Sequence, residues 1–293
     1  MRFFVLLFIT TSILHAQTIN KTRLDAKGNA ILLGKTNKQA FENSSFKWFE
    51  KNYADYITNN NIIKNLKKPL QNYTIKAFYG SWCGDSKREV PRFYKVIEKA
   101  GFKLENLDAI AVDKKPEAYK ASPEGEEKGL NIHRVPTFIF YKDGKEINRI
   151  VESPIEDFER DIYNIINQQR YTPNYQVVSF LDKMLHEKGI DSLRLKETKL
   201  VANLADFTQG SKELNTYGYK LLRSNQIEKA LYIFSLNTKI YPYKSSVFDS
   251  LGEAFFENKN YTEALKNYYK VLAMEPQNKN ALTMIDKIKT IIK

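Results

Sequence analysis

Apolar positions in this chain follow two rhythms. Between residues 73 and 151 they come in short runs rich in β-branched and aromatic side chains. YTIKAFY at 73–79, LDAIAV at 107–112, PTFIFY at 136–141 and residues 146–151 each read as a strand. Lys142-Asp143-Gly144-Lys145 carries the Asp-Gly centre of a tight hairpin and joins the last two. Elsewhere the spacing is helical. Phe46, Phe49, Tyr53 and Tyr56 fall on one face of a helix starting at Ser45, with Ser44 or Ser45 as its cap and Trp48 widening the stripe. Residues 83–100 predict a long helix kinked at Pro91. Pro154 opens a helix to about Gln169, with Ile155, Phe158, Ile162 and Ile165 as its buried face. Residues 114–131 are charged and broken by glycine and proline, which predicts a helix-turn or loop. Residues 17–44 are polar, with one short apolar run from Ala30 to Leu33. Strand, helix, strand, hairpin and helix predict a small mixed α/β sheet covered by helices over 70–170, after a 17–69 extension that carries an amphipathic helix.

The C-terminal third reads as all-α. Residues 171–207 form a helical connector broken near Thr172-Pro173 and Gly189. Over 208–293 special residues recur at a fixed offset of 34: Gly218 with Gly252, Ala230 with Ala264, Leu231 with Leu265 and Pro242 with Pro276. Leu214 matches Phe248, and Ile227 matches Tyr261. That period resembles the tetratricopeptide repeat, a pair of helices whose glycine and alanine let them approach and whose proline ends the second helix. About two repeats are present, and Ala281 to Ile292 resembles a capping helix. Two repeats and a cap are short for independent stability, so this module is expected to pack against the helices of 174–207.

Composition narrows the picture. The 293 residues are 42% hydrophobic and 13% aromatic, enough for about two cored domains. One cysteine excludes an internal disulfide framework. Arg2, the apolar run Phe3 to Ile9 and the small Ala16 before Gln17 read as a secretory signal over 1–16. The run is too short for the roughly 20 residues that span a bilayer. No later segment reaches that length. These features predict an exported chain, periplasmic or secreted, in an oxidising compartment. The net charge of +12 is uneven. Ten Lys/Arg face four Asp/Glu over 17–70, seventeen face seventeen over 71–170, and eighteen face thirteen over 171–293. A neutral centre with basic flanks is not a nucleic-acid stripe, and nucleic acid is not an expected partner.

The chemistry centres on Trp82-Cys83-Gly84-Asp85-Ser86, since Cys83 is the only cysteine. A Trp-Cys pair that closes a strand and opens a helix, followed by Lys87 and Pro91, by Val135-Pro136-Thr137 and by the Asp143-Gly144 hairpin, resembles a thioredoxin-fold domain over about a third of the chain. Asp113 followed by Pro116 resembles the end of that family's third strand. The stretches WCGDSKREVPRFYKV, SPEGEE and NIHRVPTFIFYKDGK further resemble secreted thioredoxin-like proteins of the Bacteroidetes type. The resemblance implies a cis Val135-Pro136 peptide facing the thiol. It would leave the Val135 backbone free to pair with an extended peptide and, with Trp82, would make a shallow apolar groove around Cys83.

Two departures weaken the resemblance. The second cysteine of the family is Ser86 here, and its buried acid is Ala77. Without a resolving thiol a mixed disulfide at Cys83 has no intramolecular exit. A dithiol reductase is therefore disfavoured. What remains is a thiol at a helix N-terminus, where the dipole and free N–H groups favour the thiolate. Ser86, Lys87 and Arg88 are candidates to help it, and Asp85 opposes it. Two readings stand together. In one, an exported monothiol protein engages client thiols or disulfides through Cys83, with Trp82, Gly84, Asp85, Ser86, Val135 and Pro136 in support, and the repeats hold the client. In the other, a redox-inactive adaptor uses both folds as scaffolds for protein or peptide partners. A Cys83-linked dimer is a third outcome of an odd cysteine in an exported chain. His15 falls in the signal, His133 lies close to Val135, and His186 is on the connector, so one thiol and scattered histidines do not make a zinc site. No phosphate loop or dinucleotide fingerprint is present, and no cofactor is expected.

Overall fold

A computed structural model describes residues 19–293. The expected signal at 1–16 lies outside the described residues. The first half is built on a six-stranded mixed sheet. Its strands are β1 (Lys21–Leu24), β2 (Ala30–Thr36), β3 (Thr74–Tyr79), β4 (Leu107–Ala111), β5 (Thr137–Lys142) and β6 (Lys145–Val151), in the order β1-β2-β4-β3-β5-β6. β3 and β4 are parallel, and every other neighbouring pair is antiparallel. The helices of this half are α1 (Trp48–Asp55), α2 (Asn60–Leu66), α3 (Gly84–Lys99) and α4 (Phe158–Ile166).

Period two on the strands explains the two faces. Ile75, Ala77 and Tyr79 of β3, with Phe138 and Phe140 of β5, enter the main core with α1, α3 and α4. Phe78 and Ile139 point to the opposite face, where they meet Ile110, Val112, Ile132 and Val135. Phe93 of α3 stacks on Phe138 with ring centroids 4.1 Å apart. Both central residues of the β5–β6 turn, Asp143 (φ 51°) and Gly144 (φ 75°), are left-handed, as a two-residue hairpin turn requires. α3 runs through Pro91 as one helix.

Several boundaries differ from the sequence expectation. β1 and β2 form a hairpin where one apolar run in a polar stretch was expected. Its turn is fixed by the Asp25 carboxylate, which accepts from Lys27 N at 2.8 Å and Asn29 N at 2.9 Å. The aromatic stripe at 46–56 starts in a short 3-10 turn, and Tyr56 lies past the end of α1. Asn43 rather than a serine caps that turn. α4 begins after Asp157, whose side chain accepts from Arg160 N, and not at Pro154. Ile155 is consequently half exposed, outside the buried face assigned to it.

Seven helices follow: α5 (Gln176–Arg194), α6 (Glu197–Ala205), α7 (Lys212–Arg223), α8 (Ile227–Ile240), α9 (Ser245–Glu257), α10 (Tyr261–Met274) and α11 (Lys279–Ile291). α5 bends at Gly189, whose φ of 72° is not helical. Val177, Val178, Leu181 and Leu185 of α5 share one core with Leu214, Tyr217, Ala230 and Phe234. A second cluster joins α9, α10 and α11 through Phe248, Tyr268 and Ile285. The offset of 34 reappears in packing. A Cβ at Gly218 would lie 2.6 Å from the Phe234 ring, and one at Gly252 would lie 3.1 Å from the Tyr268 ring. Among the described residues no helix is long and apolar enough to cross a membrane.

Candidate functional site

The central strand β3 ends at Tyr79, and the chain turns through Gly80 and Ser81 into α3. The Cys83 N–H donates to Gly80 O at 2.8 Å, which tightens the turn and places Cys83 as the residue before the first turn of α3. The thiol thus stands at the carboxyl end of the sheet and at the positive end of a 16-residue helix. It is partly exposed and is the sole cysteine of the chain.

Across from it, the Val135-Pro136 peptide is cis. The Val135 carbonyl lies 3.5 Å from Cys83 Sγ, and Asp85 Oδ2 lies 4.0 Å from it. Trp82 packs beside the thiol on the cluster of Phe78, Val112 and Val135, and its indole N–H donates to Val112 O at 2.9 Å. Trp82, Cys83, Asp85, Val135 and Pro136 are therefore brought together. Gly84 is exposed in the first turn of α3, where nothing crowds it.

Ser86 is not at the sulfur. Its side chain is fully buried, and its hydroxyl accepts from Gly80 N at 3.1 Å. The hydroxyl that was a candidate to help the thiolate instead closes the strand-to-helix turn. Arg88 pairs with Asp85 at 3.0 Å and with Glu89 at 2.5 Å, so its charge is directed to carboxylates. Ala77 is buried in the main core among apolar neighbours.

Apart from His133, which the sequence already set close to Val135, the residues that sequence reasoning missed lie on the loop before β5 and on the helices above it. Lys120 is buried with φ 57°, and its ammonium donates to the His133 carbonyl. Burial pushes that ammonium down to about 7, Arg134 repels it further, and Cys83 acts the other way. His133 is fully enclosed. Its ring lies edge-on to Tyr175 at 6.2 Å and Tyr217 at 6.3 Å, and Nδ1 meets Asn131 O at 3.1 Å. Burial pushes this imidazole down to about 3. Arg134 spans both halves of the molecule. Its guanidinium donates to Glu152 at 2.9 Å and to Lys212 O at 3.1 Å, and it covers the Tyr175 ring at 4.4 Å. Lys220 of α7 reaches back to the carbonyls of Tyr119 at 3.3 Å and Lys120 at 3.2 Å. The loop that faces the thiol is thus pinned by Tyr175, just before α5, and by α7. The one available signal was a cationic and aromatic loop, Tyr119-Lys120 and His133-Arg134, flanking the proline motif.

Among the described residues no group of three or more His, Cys, Asp or Glu side chains is arranged to hold a metal ion. The arrangement offers one nucleophilic sulfur, a carbonyl that can accept from an extended strand, and an apolar rim.

Comparison with known proteins agrees with this geometry. Residues 54–164 match the family model described as Thioredoxin. Thioredoxin H2 of Arabidopsis thaliana is 28% identical over 102 residues, 35% of this chain and 66% of that protein, so about a third of the plant protein is unmatched. Thioredoxin Asp f 29 of Aspergillus fumigatus is 28% identical over 98 residues, 33% of this chain and 82% of that protein. A thioredoxin of Chlamydia trachomatis serovar D is 32% identical over 74 residues, 25% of this chain and 63% of that protein. Residues 54–164 of this chain form a thioredoxin-like domain.

Proposed function

We propose that the chain is an exported monothiol protein that captures client cysteines through Cys83, with tetratricopeptide-type repeats over α7–α11 as a protein-binding module. The observation that carries the reading is the placement of the only thiol at the start of α3, 3.5 Å from the carbonyl that precedes a cis proline. An extended client segment can pair with the Val135 backbone and present its own sulfur to Cys83. The Cys83 thiolate attacks one sulfur of a client disulfide. A new S–S bond forms to Cys83, the client S–S bond breaks, and the second client sulfur leaves with the electron pair as a thiolate. Cys83 is oxidised to a mixed disulfide, and the departing sulfur is reduced. With Ser86 in the turn and no other cysteine, release requires a thiol from the client or from solution. A client thiol returns the original client or a rearranged one. A solution thiol either frees the client as a thiol, leaving Cys83 capped, or leaves with the client as their mixed disulfide and frees Cys83. The electrons come from that thiol and not from this chain alone.

The apolar n-terminal run and small Ala16 support export, and the 34-residue offset between the Gly218–Phe234 and Gly252–Tyr268 contacts supports the repeat reading. The test is capture in native envelope extracts under alkylating, non-reducing conditions. Disulfide-linked partners recovered with the wild-type chain and absent with Cys83→Ser support the reading. Equal recovery with both chains overturns it.

One observation favours a second reading, a redox-inactive adaptor. The sulfur already has two acceptors of this chain beside it, Asp85 Oδ2 at 4.0 Å and the Val135 carbonyl at 3.5 Å, which a purely structural cysteine would also satisfy. Under that reading Cys83→Ala retains every partner, and substitutions on the helical surface lose them. Non-reducing electrophoresis of the purified chain separates both from a Cys83-linked dimer.

A further inference from the structure

A cleft of about 470 Å3 opens between the two halves of the molecule, beside the thiol. Its thioredoxin-domain side is formed by Lys114, Tyr119 and Arg134, and its helical side by Lys212, Tyr219 and Arg223 of α7. Two of its lining residues adjoin the thiol site. Tyr119 lies 6.5 Å from the Trp82 ring, and Arg134 directly precedes the Val135 carbonyl that faces Cys83. Four cationic side chains line this cleft, and no aspartate or glutamate does.

The cations differ in how they are held. Lys114 is paired with Asp25, Arg134 with Glu152 and Arg223 with Glu253 and Glu257. Those carboxylates lie outside the cleft lining and fix the cations in place. Lys212 is exposed and has no carboxylate partner among the described residues. Nε of Arg134 is buried without a hydrogen-bond partner. A fixed set of cations, one free ammonium and two tyrosine faces suit an extended chain that carries negative charge.

We propose that this interdomain cleft selects clients by charge, taking an extended protein segment with acidic residues next to the cysteine that meets Cys83. The inference rests on the thiol-capture reading, and it names the client class for that site. The acidic side chains of the segment lie against Lys212 and Arg134 while its cysteine lies over Cys83. The repeats contribute through α7, so both halves read one client.

The experiment uses the full chain and two labelled peptides, one with two aspartates beside a serine in place of cysteine, the other with two lysines there. Fluorescence anisotropy at low salt is expected to show the aspartate peptide bound about tenfold more tightly, with the difference shrinking as salt rises. Lys212→Glu changes an exposed side chain at the start of α7 and keeps the backbone carbonyl that Arg134 uses, so the fold is retained. It is expected to remove or reverse the preference. Equal binding of the two peptides by the wild-type chain, or a preference untouched by Lys212→Glu, overturns the proposal. A second arm uses the cysteine forms of the peptides activated as mixed disulfides with thionitrobenzoate. Attack by Cys83 forms the peptide adduct and expels thionitrobenzoate as its coloured thiolate. Charge preference without any release leaves the cleft standing and sinks thiol capture. Release without charge preference does the reverse.

Discussion

The Ser86 hydroxyl accepts the Gly80 N–H at 3.1 Å, from a position where thioredoxins carry a second sulfur. Both groups are buried, so the bond has no water to replace it. Ser86→Ala is expected to cost about 1–3 kcal/mol in urea denaturation, the penalty of an unpaired buried donor. Alkylation of Cys83 in the same variant is expected to proceed at the wild-type rate. A large change in that rate would return Ser86 to the chemistry.

The glycines of the helix pairs are not equivalent. A methyl group on Gly218 meets the Phe234 ring at 2.6–2.9 Å, and one on Gly252 meets the Tyr268 ring at 3.1–3.2 Å. Both sites gain helix propensity with alanine, roughly 1 kcal/mol, so the clash decides the sign. Gly218→Ala is expected to destabilise by about 1–3 kcal/mol, and Gly252→Ala by clearly less. Phe234→Leu added to Gly218→Ala should recover part of the loss. Chemical denaturation of the single and double variants measures this.

His133 predicts an acid-sensitive limb. Its imidazole is held at about 3 in the folded chain against 6.5 when free, so the unfolded chain takes the proton first. Its contribution is complete above pH about 6.5 and is lost as pH falls toward about 3. His133→Gln should flatten this part of the stability curve, by up to about 1.4 kcal/mol per pH unit where one proton is taken up. Urea midpoints of both chains from pH 7 to pH 4 test the difference.

Lys120 predicts the opposite end. Its folded value of about 7 lies below the 10.5 of a free lysine. Its contribution is complete above pH about 10.5 and is lost as pH falls toward about 7. Between those limits the wild-type chain should gain stability relative to Lys120→Met, whatever the absolute cost of leaving the His133 carbonyl without its donor. Parallel denaturation series from pH 7 to pH 10 measure the slope.

Lys220 ties α7 to the carbonyls of Tyr119 and Lys120. Lys220→Met leaves both without that donor. Amide hydrogen exchange over 117–135 is expected to speed up by about tenfold, equivalent to about 1.4 kcal/mol of local opening. Exchange in α10 and α11 should be unaffected.

The sheet and its order were legible where alternation was strong. β3, β4 and the β5–β6 hairpin are short apolar runs bounded by turn residues, and period two alone places them. β1 was invisible because Lys21–Leu24 is a mostly exposed edge strand with polar side chains. β2 was seen only as Ala30–Leu33, since Gly34 and Lys35 break its pattern, although Gly34 continues the strand with φ 75°. At the site, Cys83, Trp82 and Pro136 were legible from a motif because strand, turn and helix fix their positions locally. The enclosure of His133 by Tyr175 and Tyr217 was not, because it depends on contacts between residues far apart in the chain. The burial of Ser86 was hidden for a simpler reason. A serine in the first turn of a helix reads as polar surface, and only its bond to Gly80 turns it inward.

The clamp on the loop before β5 sets a limit on dissection. Cutting the chain at Arg170 would strip His133 of both enclosing tyrosines, leave Glu152 without the Tyr175 hydroxyl, and bare the carbonyls now held by Lys220. An excised thioredoxin domain would therefore report on a different thiol site from the one the whole chain carries. Here the sulfur belongs to the seam between two folds, and a reagent designed against either half alone would meet only part of its surroundings.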